Sequence, residues 1–313
     1  MHSDKKIIEV VAGALMRPDG SFMLGSRPEG KPYAGYWEFP GGKVEPGESA
    51  MQALVRELQE EMAITVTHAT PWLTRVHHYE HASVLLRFFR VWDWQGQPQA
   101  QEGQQFAWQQ PGQTSVEPML PANGPILKSL QLPALYAITC AHEIGRAAQL
   151  QALADGPAYG LVQVREPDME RRQLQAFVSE VASIVHARGG KVVVNAEPDW
   201  LAGWPVDGVH LNGPRLRHLT QRPDFAWVGA SVHSPAELQQ AGALALDYAL
   251  LGHVQPTASH PGVTPLGWEG FAAVLADGIP LPVYALGGLK PEDMDNARRH
   301  AAHGVALMRG AWK

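Results

Sequence analysis

The hydrophobic pattern divides the chain into two stretches with different rhythms. In residues 7–131, apolar runs with strand character lie on both sides of one strongly amphipathic segment, and a short helical segment, "GPILKSL", closes the stretch. The runs are "IIEVVAGALM", "SFMLGSR", "SVLLRFFRVWDW" and "QFAWQQ". Strands on both sides of one strong helix predict a mixed α/β sandwich.

After Leu132, short β-rich runs alternate with helical segments such as "RRQLQAFVSEVASIVHARGG". The runs are "LYAITC", "YGLVQVRE", "KVVVNAE", "GVHLNG", "WVGASVH", "YALLGHV", "PVYALGG" and "GVALMRG". This alternation predicts a parallel (β/α)8 barrel, the TIM barrel. The barrel is compact, because residues 135–313 are fewer than the roughly 200 usually needed. We therefore assign one domain to residues 1–131 and a second to residues 135–313.

The amphipathic segment predicts a helix over residues 49–62, with a serine at its start as a suitable N-cap. Glu57, Glu60 and Glu61 stand at positions i, i+3 and i+4, so their carboxylates converge on one face and repel each other. Hard oxygen ligands that converge in this way suit Mg²⁺ or Mn²⁺. Taken alone, the pattern also fits a solvated acidic face with Arg56 as a salt-bridge partner.

The residues upstream of the helix decide between these two interpretations. Gly42 is followed after five residues by Glu48, and after seven more by "RELQEE" at residues 56–61. This spacing reproduces the Nudix signature. Ala63 stands where the signature has glycine. If that position ends the helix in the left-handed conformation, the alanine costs on the order of 1 kcal/mol.

The resemblance extends beyond the signature. The segments "YWEFPGGKVE", "RELQEEMAIT", "QEGQQFAW" and "LPANGPILKSL" resemble the MutT branch of the Nudix hydrolases, the 8-oxo-dGTP diphosphatases, over residues 7–130. The resemblance implies an α/β/α sandwich that hydrolyses a small nucleoside triphosphate to the monophosphate and pyrophosphate by attack of water at phosphorus. It also implies Mg²⁺, or Mn²⁺ in its place, to neutralise the phosphates and activate the water.

The same resemblance implies a metal site and a catalytic motif. One of the glutamates acts as general base, and Glu57 is our choice. Arg56 belongs to the motif, where it and Glu48 brace the loop against the helix rather than touch substrate. A glycine pair at residues 41–42 lets backbone approach metal and phosphate closely. The implied metal ligands are Glu57, Glu60, Glu61, Glu102 and the carbonyl oxygen of Gly41.

Nucleotide recognition is implied at a further set of residues. Asn123 in "LPAN" matches the asparagine that reads the oxidised purine, and its amide offers both a donor and an acceptor. Phe39 lines the base pocket, and Arg27 holds a phosphate or sugar oxygen. The alternatives are a helix N-cap for Asn123 and a solvated loop arginine for Arg27. The whole predicted substrate-binding set is Arg27, Glu38, Phe39, Pro40, Gly41 and Asn123. The histidines of "RVHHYEHAS" remain unassigned.

The second stretch resembles thiamine phosphate synthase and its relative, the thiazole tautomerase. The matching segments, in family order, are "VQVRE", "VNAEPDW", "VDGVHLNG", "GASVHSPAEL", "LLGHVQPTASHPG", "VYALGGLKPEDM" and "GVALMRGAW". Gly287 and Gly288 follow the seventh strand and Gly310 follows the eighth, where such barrels expose backbone N–H groups to a phosphate. The alternative is that these glycines only make tight turns between strand and helix.

Charged contacts that bind diphosphate in the synthases are missing from this chain. Gln163 and Arg165 match and are substrate-binding candidates. Pro167 and His260, however, stand where lysines are expected, and Ala196-Glu197 replace an Asp-Arg run. Loss of these contacts weakens binding of a diphosphate by roughly several kcal/mol.

Three hypotheses follow. The first is a Mg²⁺-dependent diphosphatase of oxidised purine nucleotides fused to a thiamine-synthase-like barrel. In the second, the barrel carries the main enzymatic activity, as a thiazole tautomerase or synthase, and the Nudix half clears thiamine-related diphosphates. His253 in "GHV" matches the tautomerase histidine that transfers a proton, although a structural histidine is the alternative. In the third, the barrel only binds a thiazole or thiamine phosphate.

Composition limits the partners. A formal net charge of -6 and a pI near 6.1 argue against binding to a nucleic-acid polymer. Cys140 is the single cysteine, so no intrachain disulfide forms, and we interpret it as a small buried hydrophobe. No stretch of roughly 18 apolar residues is present, so we expect no membrane span and a cytoplasmic protein.

Overall fold

The chain separates into two compact units, residues 1–131 and residues 132–313. The computed structural model describes residues 7–78, 83–259 and 261–312. Each unit has a hydrophobic core of its own, and each is described by itself. Within these described ranges, no helix combines the length and the apolar character that crossing a membrane requires.

The N-terminal unit contains two three-stranded sheets. In the first, ordered β1-β5-β4, strand β1 runs parallel to β5 and β4 runs antiparallel to it. In the second, ordered β3-β2-β6, both pairings are antiparallel. The strands are β1 (Ile7–Leu15), β2 (Phe22–Ser26), β3 (Trp37–Glu38), β4 (Thr65–His78), β5 (Ser83–Gln95) and β6 (Phe106–Gln109).

The four strands predicted from apolar runs are confirmed as β1, β2, β5 and β6. Strand β4 was not predicted, because register shifts between Val66 and Leu73 interrupt its alternation. Strand β3 is only two residues long and carries no periodic signal. The unassigned His77 and His78 end β4, whereas His81 lies outside the described residues.

Helix α1 (Ala50–Met62) is the predicted glutamate helix. Ser49 caps its start: the Ser49 hydroxyl accepts from the Gln52 N–H at 3.3 Å, and the Gln52 side chain accepts from the Ser49 N–H at 2.8 Å. Its buried face consists of Ala53, Leu54, Leu58 and Met62, which belong to the core of this unit. Burial of this face therefore fixes the direction in which the glutamates on the opposite face of the helix point.

A second helix, α2 (Gly124–Leu130), follows a 3-10 turn at Pro121–Asn123 and is the closing helix expected from "GPILKSL". Ile126 and Leu130 are buried and anchor it. The turn places Asn123 at the start of the helix.

The C-terminal unit is a closed barrel of eight parallel strands. All eight predicted strands are confirmed, and the last strand pairs with the first, with Val305 opposite Leu135. The strands are β7 (Leu135–Ile138), β8 (Leu161–Val164), β9 (Lys191–Val194), β10 (Gly208–Leu211), β11 (Trp227–Val232), β12 (Tyr248–Gly252), β13 (Val283–Leu286) and β14 (Gly304–Leu307).

Short connections make this barrel compact. The connection after β9 holds only a 3-10 turn at Pro198–Trp200, and the residues after β14 form another at Arg309–Ala311. The helices are α3 (Ala141–Ile144), α4 (Arg146–Asp155), α5 (Arg171–Ala187), α6 (Gly213–His218), α7 (Pro235–Ala243), α8 (Gly267–Leu275) and α9 (Met294–Arg299).

Inward-facing tyrosines fill the barrel interior. The Tyr136 hydroxyl donates to Gln163 Oε1 at 2.8 Å and lies 3.0 Å from the Tyr248 hydroxyl. Tyr284 packs against both tyrosine rings. Cys140 is fully buried, and burial raises the pKa of its thiol to about 11, as befits a small core residue. Hydrogen bonding satisfies the hydroxyl groups that this core encloses.

Ala63 ends helix α1 in the left-handed conformation, with φ 55° and ψ 33°, and its N–H donates to the Gln59 carbonyl at 3.1 Å. Since glycine adopts this conformation without steric cost, Ala63→Gly should raise the free energy of unfolding of the N-terminal unit by about 1 kcal/mol. Urea denaturation of the full chain measures this change. Ala53→Gly, inside the same helix, is the control and should destabilise; a loss of stability in both variants would contradict the prediction.

Candidate active site

One arginine organises the acidic face of α1. The Arg56 guanidinium donates to Glu48 Oε1 at 2.6 Å, to Glu57 Oε1 at 2.9 Å and to Glu60 Oε2 at 3.3 Å. It also donates to the Lys43 carbonyl at 3.0 Å, so it ties the loop before the helix to the helix itself. The hydrogen bonds that Arg56 donates to Glu48 and Glu57 raise the pKa of Arg56 above its usual value. Arg56 is therefore the cation that offsets the repulsion among the glutamates.

Most of the N-terminal residues singled out from the sequence line a single pocket. Arg56 and Glu60 do not: Arg56 lies on the outer side of the helix, and the Glu60 side chain is 60% exposed. The nine predicted residues that line the pocket are Arg27, Glu38, Phe39, Pro40, Gly41, Glu57, Glu61, Glu102 and Asn123.

The glycine pair at residues 41–42 lets this pocket form. A Cβ at Gly42 would lie 2.2 Å from Glu57 Oε2, and a Cβ at Gly41 would lie 2.1 Å from the Val11 carbonyl oxygen. Gly41 also has a φ of 146°, which disfavours any other residue. The Glu57 carboxylate therefore packs directly against backbone, in space that a side chain at Gly42 would fill.

Glu61 is the most perturbed acid of the pocket. Burial raises its pKa to about 7; a hydrogen bond of 3.1 Å from the Gly41 N–H opposes this shift, and the carboxylates of Glu57 and Glu38 add to it. Among the described residues, no three His, Cys, Asp or Glu side chains lie close enough together to form a ready-made metal site. The donor set still fits a hard divalent cation, because such a cation prefers carboxylate oxygens and because the charges of Glu57 and Glu38 add to the rise in the pKa of the buried Glu61.

Basic residues face the acids from the loop after β2. The Arg27 guanidinium donates to both oxygens of Glu38, at 2.6 and 2.7 Å, and to the Pro32 carbonyl at 2.7 Å. Lys31 pairs with Glu102 at 2.6 Å. Arg27 is thus a paired residue of the pocket wall and not a solvated loop arginine. Lys31 was missed, because nothing local in the sequence connects it with an acid 71 positions away.

Asn123 lies on the wall of the same pocket and is 3% exposed. Its Nδ2 donates to the Trp37 carbonyl at 3.1 Å, and its side chain makes no capping hydrogen bond to α2. The alternative that Asn123 only caps the helix is therefore wrong. Phe39 is buried against Phe22 and Phe88, so it fixes the pocket wall through aromatic packing.

The barrel candidates form two groups at the carboxyl ends of the strands. Gly287 and Gly288 have φ values of 102° and 70°. A Cβ at Gly287 would lie 2.3 Å from the His253 Cβ, so His253 lies directly against this glycine turn. A Cβ at Gly310 would lie 2.9 Å from the Leu289 carbonyl oxygen, which places the turn after β14 beside the turn after β13. His253 Nε2 also lies 3.3 Å from the Val263 carbonyl oxygen.

The second group lies at the ends of β8, β9 and β10. Gln163 is 1% exposed and bonds to Tyr136, so it belongs to the interior rather than to the mouth. Arg165 is partly buried at the end of β8. Two neighbours were missed from the sequence: His210, which is fully buried, and Arg215, which bonds to Asn195 at 3.0 Å. Only the barrel topology brings these residues together. His260 lies outside the described residues.

Comparisons with known proteins match both units. Residues 7–130 match the family model of the NUDIX domain, and residues 135–311 match that of thiamine monophosphate synthase. The chain belongs to both families. In the N-terminal unit, a Nudix hydrolase domain, Glu57 and Glu61 of the signature line the pocket and Arg56 lies behind them.

Individual relatives agree with this division. The N-terminal unit is 41% identical over 124 residues to the CTP pyrophosphohydrolase of Escherichia coli K12, covering 40% of this chain and 91% of that protein. It is 37% identical over 127 residues to an 8-oxo-dGTP diphosphatase of Haemophilus influenzae, covering 41% and 93%. The barrel is 31% identical over 182 residues to putative thiamine-phosphate synthase 2 of Aquifex aeolicus, covering 56% and 96%.

The buried His210 makes the barrel sensitive to acid. Burial, with Arg165 and Arg215 nearby, lowers the pKa of His210 to about 3. The unfolded chain takes up this proton near pH 6.5 and the folded barrel does not, so stability falls as the pH drops from 6.5 toward 3. The expected limiting slope is about 1.4 kcal/mol per pH unit. Urea denaturation across this range should give a shallower slope for His210→Gln. The exposed His218→Gln is the control, and equal slopes in all three proteins would contradict the assignment.

Proposed function

We propose that the Nudix unit hydrolyses 8-oxo-dGTP to 8-oxo-dGMP and pyrophosphate, and so cleanses the nucleotide pool. The observation that carries this proposal is the position of Asn123. Its buried amide lines the same pocket as Glu57 and Glu61, so a group able to hydrogen-bond a base shares this pocket with two carboxylates of the signature. The 37% identity to an 8-oxo-dGTP diphosphatase supports the same substrate.

Mg²⁺ is the proposed cofactor, with Mn²⁺ as the substitute. Its ligands would be Glu57, Glu61, Glu102 and the Gly41 carbonyl oxygen, whereas Glu60, which the sequence placed with them, faces solvent outside the pocket. The bound ion would neutralise phosphate charge and acidify a water. The raised pKa of Glu61 supports this role, because a cation removes the penalty for holding that carboxylate ionised in a buried place.

The side chains then divide the work. Glu57, held between Arg56 and the Gly42 backbone, is the proposed general base that takes the proton of the attacking water. Arg56 acts as a positioning residue, because its other bonds go to Glu48 and the Lys43 carbonyl, away from the pocket. Lys31 and Arg27 supply positive charge at the loop side of the pocket, where the phosphates of a triphosphate need it.

Base recognition is assigned to the Asn123 amide. Nδ2 donates to the Trp37 carbonyl at 3.1 Å and to Met119 Sδ at 3.8 Å, and the amide oxygen, which has no partner among the described residues, can accept a hydrogen bond from the edge of a purine. Phe39, fixed by its aromatic neighbours, supplies an apolar surface beside the base.

The test is pyrophosphate release with Mg²⁺ from 8-oxo-dGTP, dGTP and CTP. We expect a strong preference of the intact chain for 8-oxo-dGTP. Asn123→Ala should lower the ratio of kcat/KM for 8-oxo-dGTP to that for dGTP by tenfold or more, because a hydrogen bond to the base is lost. Glu61→Gln should abolish turnover of every nucleotide. The ratio is its own control, because a general loss of folded enzyme lowers both values equally.

The opposing outcomes are distinct. If CTP is the preferred substrate, the proposed specificity for oxidised purines is wrong, and the activity matches the name of the Escherichia coli relative. Hydrolysis of thiamine diphosphate with no turnover of nucleotides would favour the barrel-centred hypothesis. An unchanged ratio in Asn123→Ala would remove Asn123 from base recognition.

The second candidate function belongs to the barrel, and the contact between His253 and Gly287 favours it. A histidine against a glycine turn places a proton-transfer group next to backbone that can hold a phosphate. If the barrel is a thiazole tautomerase, it should catalyse deuterium uptake from D2O into a phosphorylated thiazole, measured by mass spectrometry. His253→Gln should abolish uptake while binding of the compound persists. Binding without uptake in the intact protein would instead mark a ligand-binding module.

A further inference from the structure

Lys31 lies in the middle of the loop that joins β2 to β3. The two ends of this loop are held together: the Arg27 N–H donates to the Tyr36 carbonyl at 2.8 Å, and the Gly35 N–H donates to the Arg27 carbonyl at 2.9 Å. Between these ends, residues 29–35 are exposed. Lys31 nevertheless lines the pocket of the Nudix unit, so the exposed part of the loop brings an ammonium group to the acidic site.

The two basic residues of this loop are held in different ways. The Arg27 guanidinium donates two hydrogen bonds to Glu38 and a third to the Pro32 carbonyl, so it is fixed within the pocket wall. Within the part of the chain that the structure describes, the Lys31 side chain has one polar partner, Glu102 Oε2 at 2.6 Å. The two side chains of this ion pair are 47% and 43% exposed. An ion pair this exposed to water is weak, so its partners exchange easily.

Glu102 combines a fixed backbone with a side chain that can turn. The Glu102 N–H donates to Gln104 Oε1 at 2.7 Å, and Gln104 Nε2 donates to the Glu61 carbonyl at 2.8 Å. Because Gln104 is buried, its amide ties the backbone of Glu102 to the end of α1. The distance between the backbones of Glu61 and Glu102 is therefore set, and side-chain rotation decides which cation the Glu102 carboxylate meets.

Lys31 and a divalent cation compete for the same carboxylate. Glu102 lines the pocket together with Glu57 and Glu61, the other carboxylates of the proposed metal site. Two cations at one carboxylate repel each other, so a metal ion held by Glu102 disfavours Lys31 there. The metal ion also gains the oxygens of Glu57 and Glu61, whereas the Lys31 ammonium has the single contact with Glu102. The balance therefore favours displacement of Lys31 by the metal ion.

Lys31 has the chemistry and the position to take a second partner. Its ammonium group is a compact charge with three donors at the end of a flexible four-carbon stem. The loop around it is exposed, so a change of partner leaves the core of the unit undisturbed. The phosphates of a bound nucleotide bring negative charge to the same pocket, and an ammonium group released from Glu102 can pair with them.

We propose that Lys31 and a divalent cation are alternative partners of Glu102, and that Lys31, once displaced, pairs with a phosphate of the nucleotide. This exchange, which rests on the nucleotide hydrolysis proposed above, adds an order of events to it. Glu102 passes to the cation first, and only then does Lys31 become available to the substrate. Phosphate binding thus depends on the cation through a side chain of the protein as well as through direct coordination.

Titration of the full-length protein with Mn²⁺ alone, followed by the electron paramagnetic resonance signal of the free ion, tests the first half of the exchange. Lys31→Gln should bind Mn²⁺ about two- to fivefold more tightly than the intact protein, the effect expected from loss of an exposed ion pair. In a Glu102→Gln background the same substitution should bring no gain, because Lys31 then has no carboxylate to withhold. Lys128→Gln is the matched control: it removes the same charge from α2, outside the pocket, and should leave the affinity unchanged.

Steady-state hydrolysis of the preferred nucleotide at saturating Mg²⁺ tests the second half. Lys31→Gln should raise KM by roughly fivefold or more and leave kcat unchanged, because a phosphate contact is lost while the reacting groups stay in place. Tighter binding of the metal combined with weaker binding of the nucleotide is the signature of the exchange. A residue that only supports the loop would weaken both.

The opposing results separate this exchange from the proposed function. If the intact protein binds no Mn²⁺, the metal site is wrong, and the proposed hydrolysis and the exchange are both overturned. Equal Mn²⁺ affinity in Lys31→Gln and the intact protein would overturn the exchange alone. So would an equal gain with and without Glu102, because Lys31 would then act through its general field. An unchanged KM would show that Lys31 does not reach the phosphates, which also overturns the exchange and leaves the hydrolysis standing.

Discussion

The Nudix pocket depends on the set of bonds around Arg56. Carboxylates collected on one helix face repel each other, and the helix keeps them only because a guanidinium lies among Glu48, Glu57 and Glu60. The same group also holds the Lys43 carbonyl, so the loop that carries the glycine pair cannot move independently of the helix. This guanidinium lies behind the carboxylates; on the pocket side Arg27 and Lys31 pair with other acids, and Glu61 has no ion pair among the described residues.

The mouth of the barrel reverses this arrangement. There the arginines face the opening and the acid, Glu197, supports one of them from the side. In each unit one residue orients a group of opposite charge: Arg56 orients Glu57 in the first unit, and Glu197 orients Arg215 in the second. Neither residue neutralises all the charges of its cluster. The residual charge is negative in the first unit and positive in the second.

The fold was largely predictable because its determinants are local. The start of α1 follows from the serine cap, its face from the apolar spacing, and the eight barrel strands from short apolar runs. The left-handed conformation of Ala63 could be anticipated because the Nudix signature has glycine at that position, and glycine often ends a helix in that conformation. Strand β4 was not, since its bulges destroy the two-residue alternation on which prediction relies.

The candidate sites were predictable only in part, for the same reason. The signature positions of α1 are close in sequence, and the resemblance to a family supplied Glu102 and Asn123 from elsewhere. Lys31, His210 and Arg215 carry no local pattern, because each becomes meaningful only through a contact made by the folded chain. The sequence also placed Glu60 with its two neighbours, whereas its side chain points largely into solvent.

Pairing of β14 with β7 has a consequence for how the protein is made. The first barrel strand pairs with a strand about 170 residues further along the chain, so the barrel closes only after β14 has left the ribosome. The pairings among the described strands β1 to β6, by contrast, lie within residues 7–109. During synthesis, the N-terminal unit can therefore complete its sheets while the barrel is still an open sheet with unpaired edge strands.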